Sequence, residues 1–455
     1  MKTTTFSLLL LLLVSEAPCM AQYKCNILDY GAVGDSLTLN SKAINTAIKD
    51  CAAKGGGTVI IPEGKFLTGT ISLKSDVSLY LMPGAEIKGT SDLSQYVPYV
   101  PADETRGPGH FRWNRALLLG DHVENVTIEG GGVINGDHVF DPKGEEGMRG
   151  PHTILFGSSR NIHIKGITIN NAANYAFMAY QLDDAAFTDV KINAGWDGIH
   201  IRWGKNLKIS KCRFHTGDDA IAGGYWENME ISDNEINSSC NGIRLIMPAT
   251  NLTIERCHFF GDGKFEHRTS REEKRKNTLS AIILQPGGWG KAEGILEDVL
   301  IRDVAIENVD NPLNIILNEG NNARGIRVEH LHATRINRSA CSVESWKGGR
   351  YDDVNFRNIY IEFAGHDDPE LLEIVPGQPH VDARPLPCWA LYARCIDKLV
   401  LDSVEVRYTG KEFRPAFIFE EIGTIRLNEV RYDDVDRVDP MVFRNVGEVN
   451  KKSSK

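Results

Sequence analysis

The chain has 455 residues, of which 42% are hydrophobic and 25% are charged. This is the composition of an ordinary folded protein, so it excludes an intrinsically disordered chain and a collagen-like chain. The formal net charge of −10 argues against nucleic acid or an anionic membrane surface as the main partner. We therefore expect no nucleic-acid partner.

The first residues are typical of a secretory signal. The apolar run 6–14 follows Lys2, precedes the small-residue segment 17–21, and is too short to cross a bilayer. We predict a signal peptide over residues 1–21 and a secreted or periplasmic product, with a lipid anchor at Cys19 as the less favoured alternative. No comparable apolar run follows, so no membrane span is predicted.

Residues 24–90 are predicted to form an N-terminal cap. Asn40 and Ser41 are candidate helix caps, because apolar side chains follow them at helical spacing. These apolar residues are Ala43, Ile44, Ala47, Ile48 and Cys51. A helix at this place would cover the open end of a stacked β-structure, whose last coil otherwise exposes its core and backbone edges.

A repeat of about 22 residues follows the cap and determines the predicted architecture. Its most regular copies are 23, 22, 22 and 23 residues apart, and they begin at Asn161, Asp184, Asn206, Asn228 and Asn251. Within each copy, apolar residues first recur at every second position, which is typical of a strand. The spacing then widens by one residue before the alternation resumes, which indicates a corner between two short strands. The pattern predicts an all-β fold, a single-stranded right-handed parallel β-helix, as one domain over residues 22–450.

The stacking of the coils makes a prediction about two cysteines. Cys212 and Cys257 occupy the same position two coils apart, and Asn234 lies at that position in the coil between them. Two coils place the cysteines roughly 9–10 Å apart, which is beyond the reach of a disulfide. Both are therefore predicted to be free and buried.

One polar position of the repeat carries acids in two successive coils. It holds Asn174, Asp197, Asp219 and Asn241, and Asp218 adjoins Asp219. The stack places Asp197 about 4.8 Å from this pair. Three carboxylates at this distance repel one another and raise at least one pKa. Carboxylates of different pKa suit the acid–base hydrolysis of a glycosidic bond.

Basic residues beside these acids predict an anionic substrate. The apolar positions of the same strands face inward, so His200 and Arg244 face outward, and Arg202 follows on the same face. Arginine is suited to bidentate contact with carboxylate groups. Three aromatic residues are either platforms for sugar rings or packed side chains: Trp203, Trp226 and Trp289. Of these, we predict that Trp226 binds the substrate.

At these motifs the chain resembles the pectin-degrading glycoside hydrolases of family 28, the polygalacturonases. The resemblance covers nearly the whole mature chain and begins with Asp29-Tyr-Gly-Ala-Val-Gly-Asp35. Trp196-Asp197-Gly198-Ile199 stands where the family has Asn-Thr-Asp-Gly-Ile, and Gly217-Asp218-Asp219-Ala220-Ile221 matches its Gly-Asp-Asp block.

The resemblance implies roles for the three acids. Asp218 takes the place of the general acid, and Asp197 and Asp219 take the places of the residues that position and activate water. It also implies inversion of the anomeric centre. We expect a pectic oligosaccharide or polysaccharide as substrate, no cofactor, no metal, and a monomer.

The substrate-binding motifs differ from those of the family. Its Gly-His-Gly is Cys240-Asn241-Gly242 here, so Asn241 replaces the histidine. Ile283 and Gln285 stand where the family has the Arg and Lys that bind galacturonate. We expect Asn241, Gln285 and Arg244 to contact the substrate, with Arg244 taking over the anionic group. The bond cleaved is then one in polygalacturonate or another pectic bond, such as one in rhamnogalacturonan or a branched side chain.

Two segments interrupt the repeat. The insertion 264–276 carries His267 and Arg268, which we predict to bind substrate. The insertion either closes one end of the substrate groove, which would make the enzyme exo-acting, or is a solvated charged loop. Residues 366–390 are rich in proline and acidic residues and are predicted to be a long loop.

Two other functions remain open from the sequence. A polysaccharide lyase on the same fold would need calcium and a Lys or Arg base, and the acids form no clear metal cage. A non-catalytic carbohydrate-binding protein would have lost activity together with the histidine.

Overall fold

The computed structural model describes residues 23–101, 115–268, 274–338, 340–380, 382 and 384–452. The predicted signal segment 1–21, including Cys19, lies outside these residues. Within the described residues, no helix is both long and apolar enough to cross a membrane.

Thirty strands of the described chain form one continuous sheet whose coils pair in parallel register. The first ten are β1 Lys24–Asn26, β2 Asp35–Leu39, β3 Gly57–Ile61, β4 Gly64–Thr68, β5 Ile71–Ser72, β6 Val77–Leu81, β7 Ala85–Gly89, β8 Ala116–Asp121, β9 Glu124–Gly130 and β10 Val133–Asn135. The central ones are β11 His152–Lys165, β12 Thr168–Asn170, β13 Phe177–Thr188, β14 Lys191–Asn193, β15 Ile199–Ser210, β16 Arg213–Thr216, β17 Ile221–Ser232, β18 Glu235–Ser238, β19 Asn241–Leu245, β20 Ala249–Glu255, β21 His258–Phe260 and β22 Ser280–Leu284. The last are β23 Gly294–Val309, β24 Leu313–Leu317, β25 Asn321–Ile336, β26 Cys341–Ser345, β27 Tyr351–Phe363, β28 Leu391–Tyr408, β29 Phe417–Tyr432 and β30 Met441–Lys452. The predicted parallel β-helix is confirmed.

The predicted cap helix is also present, as α1 over Ser41–Ala53. It buries Ile44, Ala47, Ile48 and Cys51 against the first coil. Asn40 precedes the helix, but its side chain does not cap it. Instead, Asn40 Oδ1 accepts from Val33 N at 2.7 Å and Nδ2 donates to Thr38 O at 2.6 Å, so Asn40 fixes the chain that leads into the helix.

Short 3₁₀ helices lie at bends outside the coils. They span Ile27–Tyr30, Leu93–Gln95, Glu145–Gly147 and Pro369–Glu373. The last of these begins the predicted long loop 366–390.

The asparagines that begin the repeats form a ladder along one corner of the β-helix. Asn206 Nδ2 donates to Asp184 Oδ1 at 2.8 Å, Asn228 donates to Asn206 at 2.9 Å, and Asn251 donates to Asn228 at 2.8 Å. All four have φ between 52° and 57°. Asparagine and aspartate tolerate this left-handed conformation better than other residues with side chains, which explains why they recur at this corner.

The hydrophobic core runs continuously along the inside of the coils, from Cys25 to Met441. Ile199, Ile221 and Ile243 occupy the same register in successive strands and are fully or almost fully buried. The single domain over residues 22–450 stays a prediction, which this continuous core supports.

The cysteine prediction is confirmed. Cys212 and Cys257 are free and buried. Asn234 lies between them: its Oδ1 accepts from Cys212 N at 2.9 Å, and its Nδ2 points to Cys257 Sγ at 3.8 Å.

Candidate active site

The predicted stack of acids lies at the turns that precede β15, β17 and β19. Gly198 N donates to Asp219 O and Ala220 N donates to Asn241 O, each at 2.9 Å, so these residues occupy adjacent coils. One oxygen each from Asp197, Asp218 and Asp219 lies within 4.8 Å of the others. We call these three residues the carboxylate trio.

Asp219 is held by Asn241 and Arg244. Its Oδ1 accepts from Asn241 N at 3.1 Å and from Asn241 Nδ2 at 2.8 Å, and its Oδ2 lies 3.8 Å from Arg244 Nη1. Burial raises the pKa of Asp219; the charge of Arg244 opposes this, and that of Asp218 adds to it. Asn241 is fully buried. That Asn241 binds substrate stays a prediction; in this structure its amide is directed at Asp219, which it positions.

Asp197 begins a series of contacts between polar side chains on the face of β15 that points away from the hydrophobic core. His200 Nδ1 lies 2.7 Å from Asp197 Oδ2, and Arg202 Nε donates to His200 Nε2 at 3.3 Å. Because Nε2 accepts, Nδ1 carries the proton and donates to Asp197. The ring of Tyr175 stacks on that of His200 with centroids 5.0 Å apart. His200 and Arg202 face outward as predicted, but they are buried, so they act on Asp197 more directly than on a ligand.

The pKa values of Asp197 and Asp218 move in opposite directions. Burial raises the pKa of Asp197 well above its ordinary value, and the charges of Asp218 and Asp219 raise it further. Burial alone would also raise the pKa of Asp218, but the hydrogen bond from His267 and the positive charge of Arg149 outweigh it, so this pKa is lowered. The environment therefore favours protonation of Asp197 over that of Asp218.

Arg149 is a site residue that the sequence reasoning missed. Its Nη2 donates to Asp218 Oδ2 at 3.3 Å, its Nε donates to Glu146 at 2.9 Å, and its guanidinium lies 5.0 Å from the ring of Trp196. Arg149 belongs to the loop between β10 and β11, which is not part of the repeat. No spacing in the sequence could have placed it beside Asp218.

The described residues of the insertion, 264–268 and 274–276, contact the coils beside the trio. His267 N donates to Arg275 O at 2.8 Å, and Arg275 Nε donates to Ser239 O at 3.3 Å. A side chain at Gly217 would lie 2.8 Å from Glu266 O, so only glycine allows this close approach. The described part of the insertion is therefore attached to the β-helix at these points. Its exposed residues are Lys264, Glu266, Arg268, Lys274 and Lys276. Both alternatives for the insertion therefore stay predictions.

Both predicted residues of the insertion reach the site. His267 Nε2 lies 3.5 Å from Asp218 Oδ1. The guanidinium of Arg268 lies 4.6 Å from the ring of Trp196, which also packs against Arg149. Trp196 is 1% exposed, so it separates two arginines and is not open to a sugar.

Trp226 is not a sugar platform, and that prediction is wrong. Its ring lies in the hydrophobic core, and its Nε1 donates to Ile201 O at 2.9 Å. Gly204 and Ala249 face it in the neighbouring coils and leave room for the indole. Of the three tryptophans named above, Trp289 is exposed, and Arg244 lies 5.2 Å from its ring.

Residues 377–380, 382 and 384, which we call the strap, contact side chains in or directly after β19, β22, β24 and β26. Gln285 Nε2 donates to His380 O, and Arg244 Nη1 lies 3.5 Å from Asp382 Oδ1. Gln285 is 1% exposed. The strap therefore covers the position that the resemblance assigns to galacturonate, and the contact between Gln285 and substrate stays a prediction.

A buried ion pair anchors the strap. Arg384 donates to both oxygens of Glu344 at 2.8 and 2.7 Å, and Glu344 also accepts from Trp346 Nε1 at 2.8 Å. The side chain of Glu344 is completely buried. Gln378 adds a hydrogen bond to Asn318 at 2.6 Å.

Two groups of described side chains lie close enough to hold a metal ion. One is the carboxylate trio, and the other consists of Asp218, Cys240 and His267. The first offers only carboxylate oxygens, which suit hard cations such as calcium. The second offers a carboxylate, a thiol and an imidazole, which suit zinc.

Comparisons with known proteins agree with the resemblance. A family model described as rhamnogalacturonase A/epimerase, pectate lyase-like, matches residues 24–244. A probable polygalacturonase of Vitis vinifera is 24% identical over 381 residues, which cover 80% of this chain and 68% of that protein. These findings confirm the predicted similarity to polygalacturonases.

Two solved structures show the same fold. The family 28 exopolygalacturonase of Yersinia enterocolitica superposes with a TM-score of 0.60 at 17% identity, covering 95% of this chain and 79% of that one. The surface adhesin PfbA of Streptococcus pneumoniae superposes with a TM-score of 0.57 at 16% identity, covering 94% of this chain and 93% of that one. Because one of the two is an adhesin, the fold alone does not decide the function.

Proposed function

We propose that this relative of polygalacturonases is an exported, monomeric glycoside hydrolase that cleaves pectic oligosaccharides or polysaccharides. The observation that carries the proposal is the carboxylate trio, whose oxygens lie within 4.8 Å of one another. Like charges at this distance repel one another and raise at least one pKa, and such perturbed groups are concentrated at functional sites. A purely carbohydrate-binding surface would not require them.

The roles of the three acids follow the family resemblance, and the pKa directions add one requirement. Asp218, the acid, has the lowered pKa and Asp197 the raised one, so a proton has to move between them before the reaction. Asp218 donates a proton to the glycosidic oxygen as the bond to the anomeric carbon breaks. Water adds to that carbon and loses a proton to the Asp197–Asp219 side of the trio. The raised pKa of Asp219 makes this carboxylate a stronger base. The raised pKa of Asp197 favours its protonated form before substrate binds. Since Asp218 has the lowered pKa, it receives that proton from Asp197 before it can act as the acid.

Inversion of the anomeric centre is part of the proposal and rests on the family resemblance. Pairs of carboxyl groups in inverting enzymes are usually about 6.5–9.5 Å apart, and retaining pairs about 5–5.5 Å. The trio is closer than the inverting range. We propose that two acids, Asp197 and Asp219, hold the water together, so that the usual spacing of a single pair does not apply. NMR of the first product distinguishes the two outcomes, because inversion gives the anomer opposite to the substrate.

The covered outer face favours action at chain ends. The strap lies over Gln285 on one side of the trio, and the insertion lies beside Asp218. A long polymer could not pass both along this face. We propose exo action, with the exposed Trp289 contacting the sugar next to the trio; Arg244, which packs against the ring of Trp289, is buried and pairs with Asp219 and Asp382.

Incubation with separate pectic fractions tests the function. We expect polygalacturonate or rhamnogalacturonan to release a small saturated sugar, identified by mass spectrometry, with little early loss of viscosity. An unsaturated product that absorbs ultraviolet light and is lost with a chelator would identify a lyase. Binding of a fraction without release of any sugar would identify a carbohydrate-binding protein and overturn the proposal.

A further inference from the structure

Asp218, Cys240 and His267 form a cluster that the proposed reaction uses only in part. We infer that these three side chains bind a zinc-like divalent cation, and that the bound ion switches hydrolysis off. The binding site stands on its own geometry. The inhibitory effect rests on the proposed function, because it acts through Asp218.

The donor atoms are already close to a coordination geometry. One donor atom from each residue lies within 4.8 Å of the other two, and Asp218 Oδ1 and His267 Nε2 are 3.5 Å apart. Two ligands bound about 2.0–2.1 Å from a tetrahedral zinc are about 3.4 Å from each other. Asp218 and His267 therefore need almost no movement, and Cys240 needs a small one.

The chemistry of the donors selects the ion. A thiolate and an imidazole prefer zinc, cobalt or cadmium to calcium or magnesium. Binding replaces the thiol proton of Cys240 with a metal–sulfur bond and releases that proton to solvent. Three protein ligands leave a fourth position for water or for an oxygen of the substrate.

The surroundings also attract a cation. The carboxylate trio faces Arg149 and Arg244, but each of these arginines also contacts another acid, Glu146 and Asp382 respectively. Acids therefore outnumber the guanidinium groups in these contacts. A divalent ion on the Cys240 side of Asp218 would reduce this excess without displacing Arg149, which binds the other oxygen of Asp218.

Both added ligands lie where the sequence departs from the motifs of the resemblance. Cys240 stands at the first glycine of the Gly-His-Gly motif that the resemblance assigns to the family, and His267 belongs to the insertion. The insertion is held against Ser239, the residue before Cys240, through Arg275. The same contact therefore brings both ligands to Asp218.

A bound ion would block the reaction in a defined way. An Asp218 oxygen that binds the metal cannot take the proton from Asp197 and pass it to the glycosidic oxygen. Zinc should therefore inhibit hydrolysis, and a chelator should restore it.

Metal titration of the metal-stripped mature protein tests the site without any use of activity. We expect one Co²⁺ per chain, with a thiolate-to-cobalt charge-transfer band in the near ultraviolet, and displacement of Co²⁺ by Zn²⁺. Cys240→Ser should remove the band, and Cys240→Ser and His267→Gln should each weaken Zn²⁺ binding by more than about tenfold. Cys257→Ala and His258→Gln, which alter the same residue types outside the cluster, should leave binding unchanged. Circular dichroism confirms that each variant is folded.

The results separate the site from the function. Absence of stoichiometric binding, or binding that Cys240→Ser does not weaken, would overturn the site; the latter would place the ion on the carboxylate trio. Stoichiometric binding to a protein that hydrolyses no pectic fraction would support the site and overturn the proposed function. Hydrolysis that zinc does not affect, despite binding at Cys240, would overturn the inhibitory role.

Discussion

The regular coils and the segments added to them contribute different parts of the candidate site. The coils around β15, β17 and β19 place the carboxylate trio on adjacent levels, and their geometry follows from backbone pairing. The added segments are the loop before β11, the insertion and the strap, and they supply Arg149, His267 and Asp382. The coils therefore provide the acids together with Arg244, while the added segments lower the pKa of Asp218 and cover part of the site.

This comparison predicts that the largest loss of activity comes from a coil residue. Asp197→Asn removes the carboxyl group whose protonation the environment favours over that of Asp218, so we expect kcat to fall by about 10²–10⁴-fold. Asp184→Asn is a matched control, because other coils carry asparagine at that corner position. Steady-state kinetics on the pectic fraction that is cleaved measures the effect. Comparable kcat values for Asp197→Asn and Asp184→Asn would show that Asp197 contributes no more to catalysis than a coil acid outside the trio.

The same variant should become more stable. The pKa of Asp197 is raised in the folded protein, so its ionisation destabilises the fold as the pH rises above the unfolded value of about 4. Asparagine cannot ionise. We expect Asp197→Asn to have the higher free energy of unfolding at pH 7 in urea titrations, with the gain vanishing as the pH falls to about 4. A gain that stays constant with pH would contradict the raised pKa.

An added segment should change pH dependence more than it changes the maximal rate. Arg149→Gln removes a cation that lowers the pKa of Asp218. We expect the pKa of Asp218 to rise, which moves the limb of the kcat/KM profile governed by Asp218 to higher pH, and kcat to fall by about tenfold. Arg160→Gln, at an exposed ion pair with Glu124, is the control. An unshifted profile in Arg149→Gln would show that the loop does not set the charge state of Asp218.

Release of the strap should alter the products. Arg384→Gln leaves the buried carboxylate of Glu344 without its partner, which we expect to lower the free energy of unfolding by up to about 3 kcal/mol. The double variant with Glu344→Gln should recover part of this loss. If the strap restricts the enzyme to chain ends, both variants should release longer oligosaccharides, as measured by mass spectrometry. Arg350→Gln, at an exposed pair with Asp397, should do neither.

The smallest effect is expected at the corner ladder. Asn228→Ala removes two side-chain hydrogen bonds and places alanine at a φ of 57°, so we expect it to lower the free energy of unfolding by about 1–2 kcal/mol without changing kcat. Asn228→Gly keeps the backbone conformation accessible and loses only the hydrogen bonds. In urea titrations, Asn228→Gly should lower the free energy of unfolding by less than Asn228→Ala does. Equal decreases would show that the left-handed conformation is not strained by a side chain at this corner.

The sequence predicted the parts of the protein that repeat. Each coil must match the one below it, so the spacing of Asp197, Asp219 and Asn241 was enough to stack them. Arg149 and Asp382 lie in segments that do not belong to the repeat. The spacing of the repeat therefore does not predict where these side chains lie in the fold. His267 was selected as a residue of the insertion, but its contact with Asp218 depends on how that insertion packs.

Trp226 shows why even a repeat can mislead. Gly224 and Tyr225 directly before it have φ of 150° and 52°, which turns the chain at a corner. The alternation of inward and outward side chains restarts after such a corner. If the alternation of the strand before the corner continued, Trp226 would face outward. Because the alternation restarts, the indole faces the core.

The activity of Asp218→Asn beside that of Asp184→Asn tests the central claim most directly. Both substitutions replace a carboxylate by an amide of the same shape, one in the trio and one in the corner ladder. We predict that Asp218→Asn binds the pectic fraction and unfolds cooperatively like the wild type but loses at least about 10³-fold in kcat, while Asp184→Asn keeps full activity. An Asp218→Asn variant that hydrolyses as fast as Asp184→Asn would contradict the assignment of the trio as the catalytic centre.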